Sequence, residues 1–157
     1  MAGRHTARIT WERGGGDFAG KKYSRAHKWT FDGGLSVAAS SSPDVVKVPY
    51  SDPAAVDPEE AFVASCASCH MLSFLWRAGL AGFIVDAYDD EAEGVLAKNE
   101  QGRLAITRVT LRPRARFSGG REPSREELDH LHHLAHEDCF IANSVKTEIV
   151  CEPQTAT

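Results

Sequence analysis

The sequence predicts an α+β fold in which two long helices pack against antiparallel β-sheets, and three observations carry that reading. Segments that alternate apolar and polar residues, the mark of half-buried strands, cluster near the N-terminus and again in the middle of the chain. Two longer segments each open on a helix-start signature, Asp57-x-x-Glu60 and Ser124-x-x-Glu127. The resulting order, β-β-β-α-β-β-β-α-β, sets runs of strands apart from helices, as in α+β folds. With 157 residues, 42% hydrophobic and 25% charged, the chain reads as one globular domain over 1–157 that buries a core without staples.

The first strands form a meander over residues 1–39. In "ARITWER" Ile9 and Trp11 share a face, and in "YSRAHKWTFDGG" Tyr23, Arg25, His27, Trp29 and Phe31 share one. Asp32-Gly33-Gly34 is a tight-turn signal into a third strand, "LSVAA". The stretch Ser40–Val56, rich in Ser, Pro and Asp, reads as a long surface loop.

The first helix, 57–81, has Asp57 as N-cap and Pro58 at the first helical position, where its missing N–H costs nothing. It is apolar nearly all round, through Phe62, Val63, Met71, Leu72, Phe74, Leu75 and Trp76, which suits burial at a fold centre or a subunit interface. Three strands are expected over 83–117, in "GFIVDAYDDEAEG", "GVLAKNEQG" and "RLAITRVTLRPRARF". A second helix and turn follow over 124–146, with Leu128, Leu131, Leu134 and Ala135 as the apolar stripe, and "KTEIVCEP" supplies a closing strand over 147–152.

Charge and apolar runs narrow the partners. A net charge of −4 gives no electrostatic reason to bind nucleic acid or an anionic membrane. No apolar run approaches the roughly 20 residues of a spanning helix, and the opening stretch lacks a signal-peptide core. A cytosolic location with reduced thiols is expected, so the four cysteines read as catalytic, metal-binding or buried rather than disulfide-bonded.

Cys66-Ala-Ser-Cys69-His70 has the C-x-x-C-H pattern of a c-type haem site, and its first four residues suit a redox pair or half a zinc site. The expected location argues against covalent haem, and no second C-x-x-C completes a four-cysteine zinc site. Both cysteines lie well inside the helix, beyond the reach of its dipole, so a thiolate there needs a cation from elsewhere. Glu59 precedes Cys69 by ten residues, about 15 Å of helix rise, too far for contact along the axis. Cys139, in "AHEDCFIANS", sits just beyond the second helix at the start of a short turn, where backbone N–H groups can favour a thiolate. His132 and His136 at i and i+4, with Cys139 three further on, have a spacing that could hold zinc, and His130 and His133 form a second close pair. His70 projects about 100° round the helix from Cys69 and is a poor partner for it. Cys151, in the closing strand, reads as structural or exposed.

Two stretches carry a family resemblance. "DPEEAFVASCASCHMLSFL" and "AHEDCFIANSVKTEI" resemble the Pro-Glu helix and the A-H-x-x-C segment of the OsmC/Ohr thiol-dependent peroxidases, and the strand order agrees over nearly the whole chain. The resemblance implies an OsmC-like fold assembled as an intertwined homodimer, with active sites at the interface. It implies that Cys69 is the peroxidatic cysteine, Cys139 the resolving cysteine, and Glu59 the glutamate that pairs with a thiolate-stabilising arginine, for which Arg25 is the candidate. It further implies an organic hydroperoxide as substrate, with hydrogen peroxide a poorer one, a dithiol such as a lipoylated protein or a small thiol as reductant, and no metal, haem or other cofactor. Cys66 and Phe140 depart from the family pattern: Cys66 reads as a small buried hydrophobe. The rival from another class is a non-catalytic member of the fold that binds a small apolar ligand or a metal.

Overall fold

The computed structural model describes residues 2–155. The chain divides into two compact units, residues 1–61 and residues 62–157.

In the first unit, β1 (Ala7–Thr10), β2 (His27–Phe31) and β3 (Ser36–Ala39) form the expected antiparallel meander in the order β1-β2-β3. Ile9 lies opposite Trp29, and Trp29 opposite Val37, so these three share one face. Gly34, at φ +89°, closes the turn between β2 and β3 in a conformation that side chains with a Cβ rarely adopt. The expected loop at 40–56 is tied back to the meander. Ser40 N–H donates to the Val56 carbonyl at 3.0 Å, Val56 N–H donates to Ala38, and the buried Ser40 hydroxyl accepts from Asp52 N–H at 2.9 Å.

Helix α1 (Pro58–Leu80) starts with the expected reciprocal cap. Glu60 N–H donates to Asp57 Oδ1 at 2.8 Å and Asp57 N–H donates to Glu60 Oε2 at 3.2 Å. It ends in a Schellman motif: Phe83 N–H donates to Ala78 and Gly82 N–H to Gly79, with Gly82 at φ +81°. No helix among the described residues is long and apolar enough to cross a membrane.

The second unit departs from the expected strand pattern in two ways. Four strands replace three: β4 (Ile84–Asp90), β5 (Glu93–Lys98), β6 (Leu104–Leu111) and β7 (Pro113–Ser118). The segment expected as one long strand breaks at Arg112, because Pro113 has no N–H to continue a ladder and Arg112 N–H donates instead to Asp90 Oδ1 at 2.7 Å. The two halves join different sheets, an antiparallel β4-β7 pair and a three-stranded β5-β6-β8 sheet. The closing strand β8 (Glu148–Cys151) runs parallel to β6, which corrects the expectation of purely antiparallel sheets. A parallel pair needs a long crossover, and β7 with helix α2 (Arg125–Asp138) supplies it. Helix α2 opens on the second expected capping box, with Glu127 N–H donating to Ser124 Oγ at 3.1 Å and Ser124 N–H to Glu127 Oε2 at 2.8 Å.

Helix α1 buries Cys66, His70, Phe74 and Ala78, a stripe with a four-residue repeat. Its N-terminal end packs with Val109 and Leu111 of β6, and Gly94 of β5 admits it closely, since a Cβ there would lie 2.5 Å from Val63. Its C-terminal end packs with Phe83, Ala115, and Leu131 and Ala135 of α2. Between these apolar clusters sits His70, whose ring is 4° from parallel with that of His132, which itself stacks on Phe74 at 4.2 Å. Arg77 binds Asp138 through two hydrogen bonds, one of 2.9 Å, and so ties the C-terminal ends of α1 and α2 together.

The buried histidine pair has a consequence for stability. Burial lowers the pKa of His70 to about 4 and that of His132 to about 3, with the neighbouring histidine ring a smaller cause in the second case. Both are neutral when folded and charge near pH 6.5 when unfolded. The unfolded state therefore binds more protons below pH 6.5, and stability falls with acidification by up to about 1.4 kcal/mol per pH unit for each ring. Urea midpoints measured from pH 7 to pH 5 should fall steadily, with a shallower slope in His132→Asn. A midpoint constant over that range would contradict the buried, neutral pair.

Candidate active site

The four cysteines fall into distinct environments. Cys66 is fully buried beside Val109 and Leu111, and burial pushes its thiol up, as expected of a packing residue. Cys69, one turn on, leaves the buried stripe and is half-buried. Cys139 is buried at the C-cap of α2, where the helix gives way to a 3₁₀ turn at Ala142–Ser144. The turn aims backbone donors at it: Ala142 N–H lies 3.4 Å from Cys139 Sγ, and Asn143 N–H donates to the Cys139 carbonyl at 3.0 Å.

The structure brings Cys69 and Cys139 together, although 70 residues of sequence separate them (139 − 69). Burial pushes the Cys139 thiol up to about 11; its interaction with Cys69 adds to the rise, and the N–H groups of Ala142 and Ile141 oppose it. Cys139 is thus protonated near neutral pH, and of the two Cys69 is the more open to a small molecule. Phe140, beside Cys139, is 81% exposed.

Arg25 and Glu59 belong to the first unit. Arg25 donates to the carbonyls of Lys21 and Tyr23 and stacks 3.7 Å above the Tyr23 ring. It lines a cleft of about 440 Å³ with Ile9, Trp11, Phe18, Tyr23 and His27, so a single guanidinium faces mostly aromatic walls. The aromatic wall is held by Tyr23 and Phe18 stacked at 4.7 Å and by the Trp11 indole N–H donating to Ser24. Glu59 is half-buried in the first turn of α1.

The histidine-rich helix resolves differently from its spacing. His130 and His133 are exposed, and His133 pairs with Glu137 at 3.3 Å. His132 meets His70 and Cys151, not His136 and Cys139, in the group of donors that the described residues bring within 4.8 Å of one another. Sequence reasoning missed that group, because its members come from α1, α2 and β8 and no local spacing links them.

Residues 51–154 match the family model of the OsmC-like proteins. An OsmC-like protein of unknown function from Vibrio cholerae is 51% identical, with a TM-score of 0.95 over 98% of this chain and 100% of that one. The fold is shared, at low identity, with an organic hydroperoxide resistance protein from Elizabethkingia anophelis (16% identity, TM-score 0.72, 100% of this chain and 98% of that one). It is shared also with the organic hydroperoxide resistance protein OhrB of Bacillus subtilis (24% identity, TM-score 0.65, 96% and 98%). No curated protein matches the sequence. By the extent of the family match, and by its similarity to the Vibrio cholerae protein, the chain belongs to the OsmC-like family.

Proposed function

We propose that the chain is a cytosolic thiol-dependent peroxidase that reduces organic hydroperoxides through Cys69 and Cys139. The observation that carries this reading is the pairing of a half-buried thiol on α1 with a buried, protonated one at the end of α2. Two relatives of the same fold are named organic hydroperoxide resistance proteins, which supports a hydroperoxide as substrate.

In this mechanism the Cys69 thiolate attacks the distal oxygen of ROOH. An S–O bond forms as the O–O bond breaks, and the departing alkoxide takes a proton to leave as alcohol. Cys139 then loses its proton and attacks the sulfur of the Cys69 sulfenic acid; the S–S bond forms and water leaves. The N–H of Ala142 is placed to steady the Cys139 thiolate during that step. An external dithiol, such as a lipoylated protein or a small thiol, reduces the disulfide. By the family resemblance, the scheme assigns to Arg25, with Glu59 as its carboxylate partner, the role of cation for the Cys69 thiolate and the peroxide oxygens. The chemistry needs no metal or haem.

The same reading includes a homodimer built on α1. Leu72, Trp76 and Leu80 repeat at four-residue intervals and are 61%, 67% and 64% exposed, a continuous apolar stripe apart from the buried one. A second copy of the helix covers such a stripe with matching side chains. Light scattering on wild type should give a dimer mass, and Trp76→Arg should shift it toward monomer; a monomeric wild type would remove this part of the proposal.

Substitution of the cysteines tests the chemistry. Cys69→Ser should abolish turnover of cumene hydroperoxide with a dithiol reductant. Cys139→Ser should consume a single equivalent and accumulate a sulfenic acid that dimedone traps. Undiminished turnover by Cys69→Ser would end the proposed mechanism.

A further inference from the structure

Three donor atoms from three elements of the second unit converge, none of them belonging to the Cys69–Cys139 pair. His70 Nε2 of α1 lies 3.0 Å from His132 Nδ1 of α2 and 3.6 Å from Cys151 Sγ of β8. A tetrahedral zinc ion, with bonds of about 2.05 Å to nitrogen and about 2.3 Å to sulfur, holds its N and S ligands about 3.6 Å apart and its two N ligands about 3.3 Å apart. These two spacings are near both values and all three donors lie within 4.8 Å of one another, so the rings reach a shared ion by turning out of their mutual hydrogen bond. We propose that His70, His132 and Cys151 form a binding site for a zinc-class divalent ion, distinct from the peroxidatic pair.

The surroundings suit a cation. His132 and Cys151 line an open cavity of about 640 Å³, into which a fourth ligand, water or a carboxylate, can enter. Asp129 and Glu152 line the same cavity, and Arg125, the cation beside them, is engaged by Asp129 at 2.9 Å. Burial first, and then the Asp90 carboxylate, push the Cys151 thiol up to about 12, so it carries its proton until an ion displaces it, and polar atoms nearby are unspent. Asp90 Oδ2, Tyr88 Oη and His70 Nδ1 are buried without a hydrogen-bond partner among the described residues, an arrangement costly enough to call for explanation. Phe74, stacked on His132, supplies a firm apolar backing for one ligand ring.

Binding balances simply. The proton shared between His70 Nε2 and His132 Nδ1 moves to the other nitrogen of the ring that carries it, and the Cys151 thiol gives up its proton to solvent. The ion replaces both, with no change of oxidation state. Metal chelation here would join α1, α2 and the closing strand where His70 lies between the two apolar clusters of the helix stripe.

The test uses the reduced, chelator-stripped full chain titrated with Zn²⁺ and, for its spectrum, Co²⁺. The expected result is one equivalent per chain, with thiolate-to-cobalt charge-transfer absorption and the visible bands of tetrahedral cobalt. The Cys69→Ser/Cys139→Ser double variant should keep both, whereas Cys151→Ser should lose the charge-transfer band and bind Zn²⁺ at least roughly tenfold more weakly. In wild type, Zn²⁺ should also shield Cys151 from alkylation, a readout that requires no variant to fold. Absence of stoichiometric binding, a thiolate band that survives Cys151→Ser, or a band lost only with Cys69 and Cys139 would overturn the proposal.

Discussion

The buried stripe of α1 is the constraint on which the second unit depends. Cys66, His70, Phe74 and Ala78 follow one another at four-residue intervals, Cys66 packing in one apolar cluster and Phe74 and Ala78 in the other. A helix that presents one line of side chains to two apolar clusters fixes where those clusters lie along its axis. Cys69 is one turn beyond Cys66 but off this line, and its partial exposure follows from that placement. The helix therefore separates a thiol that packs from one that can react, three residues apart on the same element.

The end of α2 completes the arrangement. The capping box at Ser124 sets where the helix begins, and its apolar face, Leu131 and Ala135, docks on the C-terminal half of α1. The Arg77–Asp138 pair holds the last turn of one helix to the last turns of the other, immediately before Cys139. The chain then leaves helical geometry at Cys139 and turns its N–H groups toward the sulfur. Burial outweighs those donors, so Cys139 stays a thiol until an electrophilic partner arrives beside it. That difference between the two sulfur environments is what the proposed order of events, Cys69 oxidised first and Cys139 answering, rests on.

Much of this was legible in the sequence because it is local. Both capping boxes and the order of the N-terminal meander appear where the pattern put them. But β2 begins at His27, leaving Tyr23 and Arg25 ahead of the strand, and α2 buries His132 with Leu131 and Ala135 while Leu128 and Leu134 are half-buried. The candidate cysteines were legible through their flanking motifs. What escaped was non-local. The break at Arg112 depends on an Asp90 carboxylate 22 residues away, and the parallel pairing of β8 depends on the path of the whole crossover. The group of His70, His132 and Cys151 spans sequence separations of 62 and 81 residues, and a scan of spacings paired His132 instead with His136 and Cys139. A buried histidine on an apolar helix stripe was the available signal, and it was outweighed by the more conspicuous run of histidines in α2.

The central claim is that Cys69 and Cys139 act as one redox pair, with Cys66 in the core. Its most direct measurement is peptide mapping of the reduced protein after one equivalent of cumene hydroperoxide. The account predicts rapid formation of a Cys69–Cys139 disulfide, with Cys66 and Cys151 remaining as thiols. A Cys66–Cys69 link, or a protein left fully reduced, would contradict it.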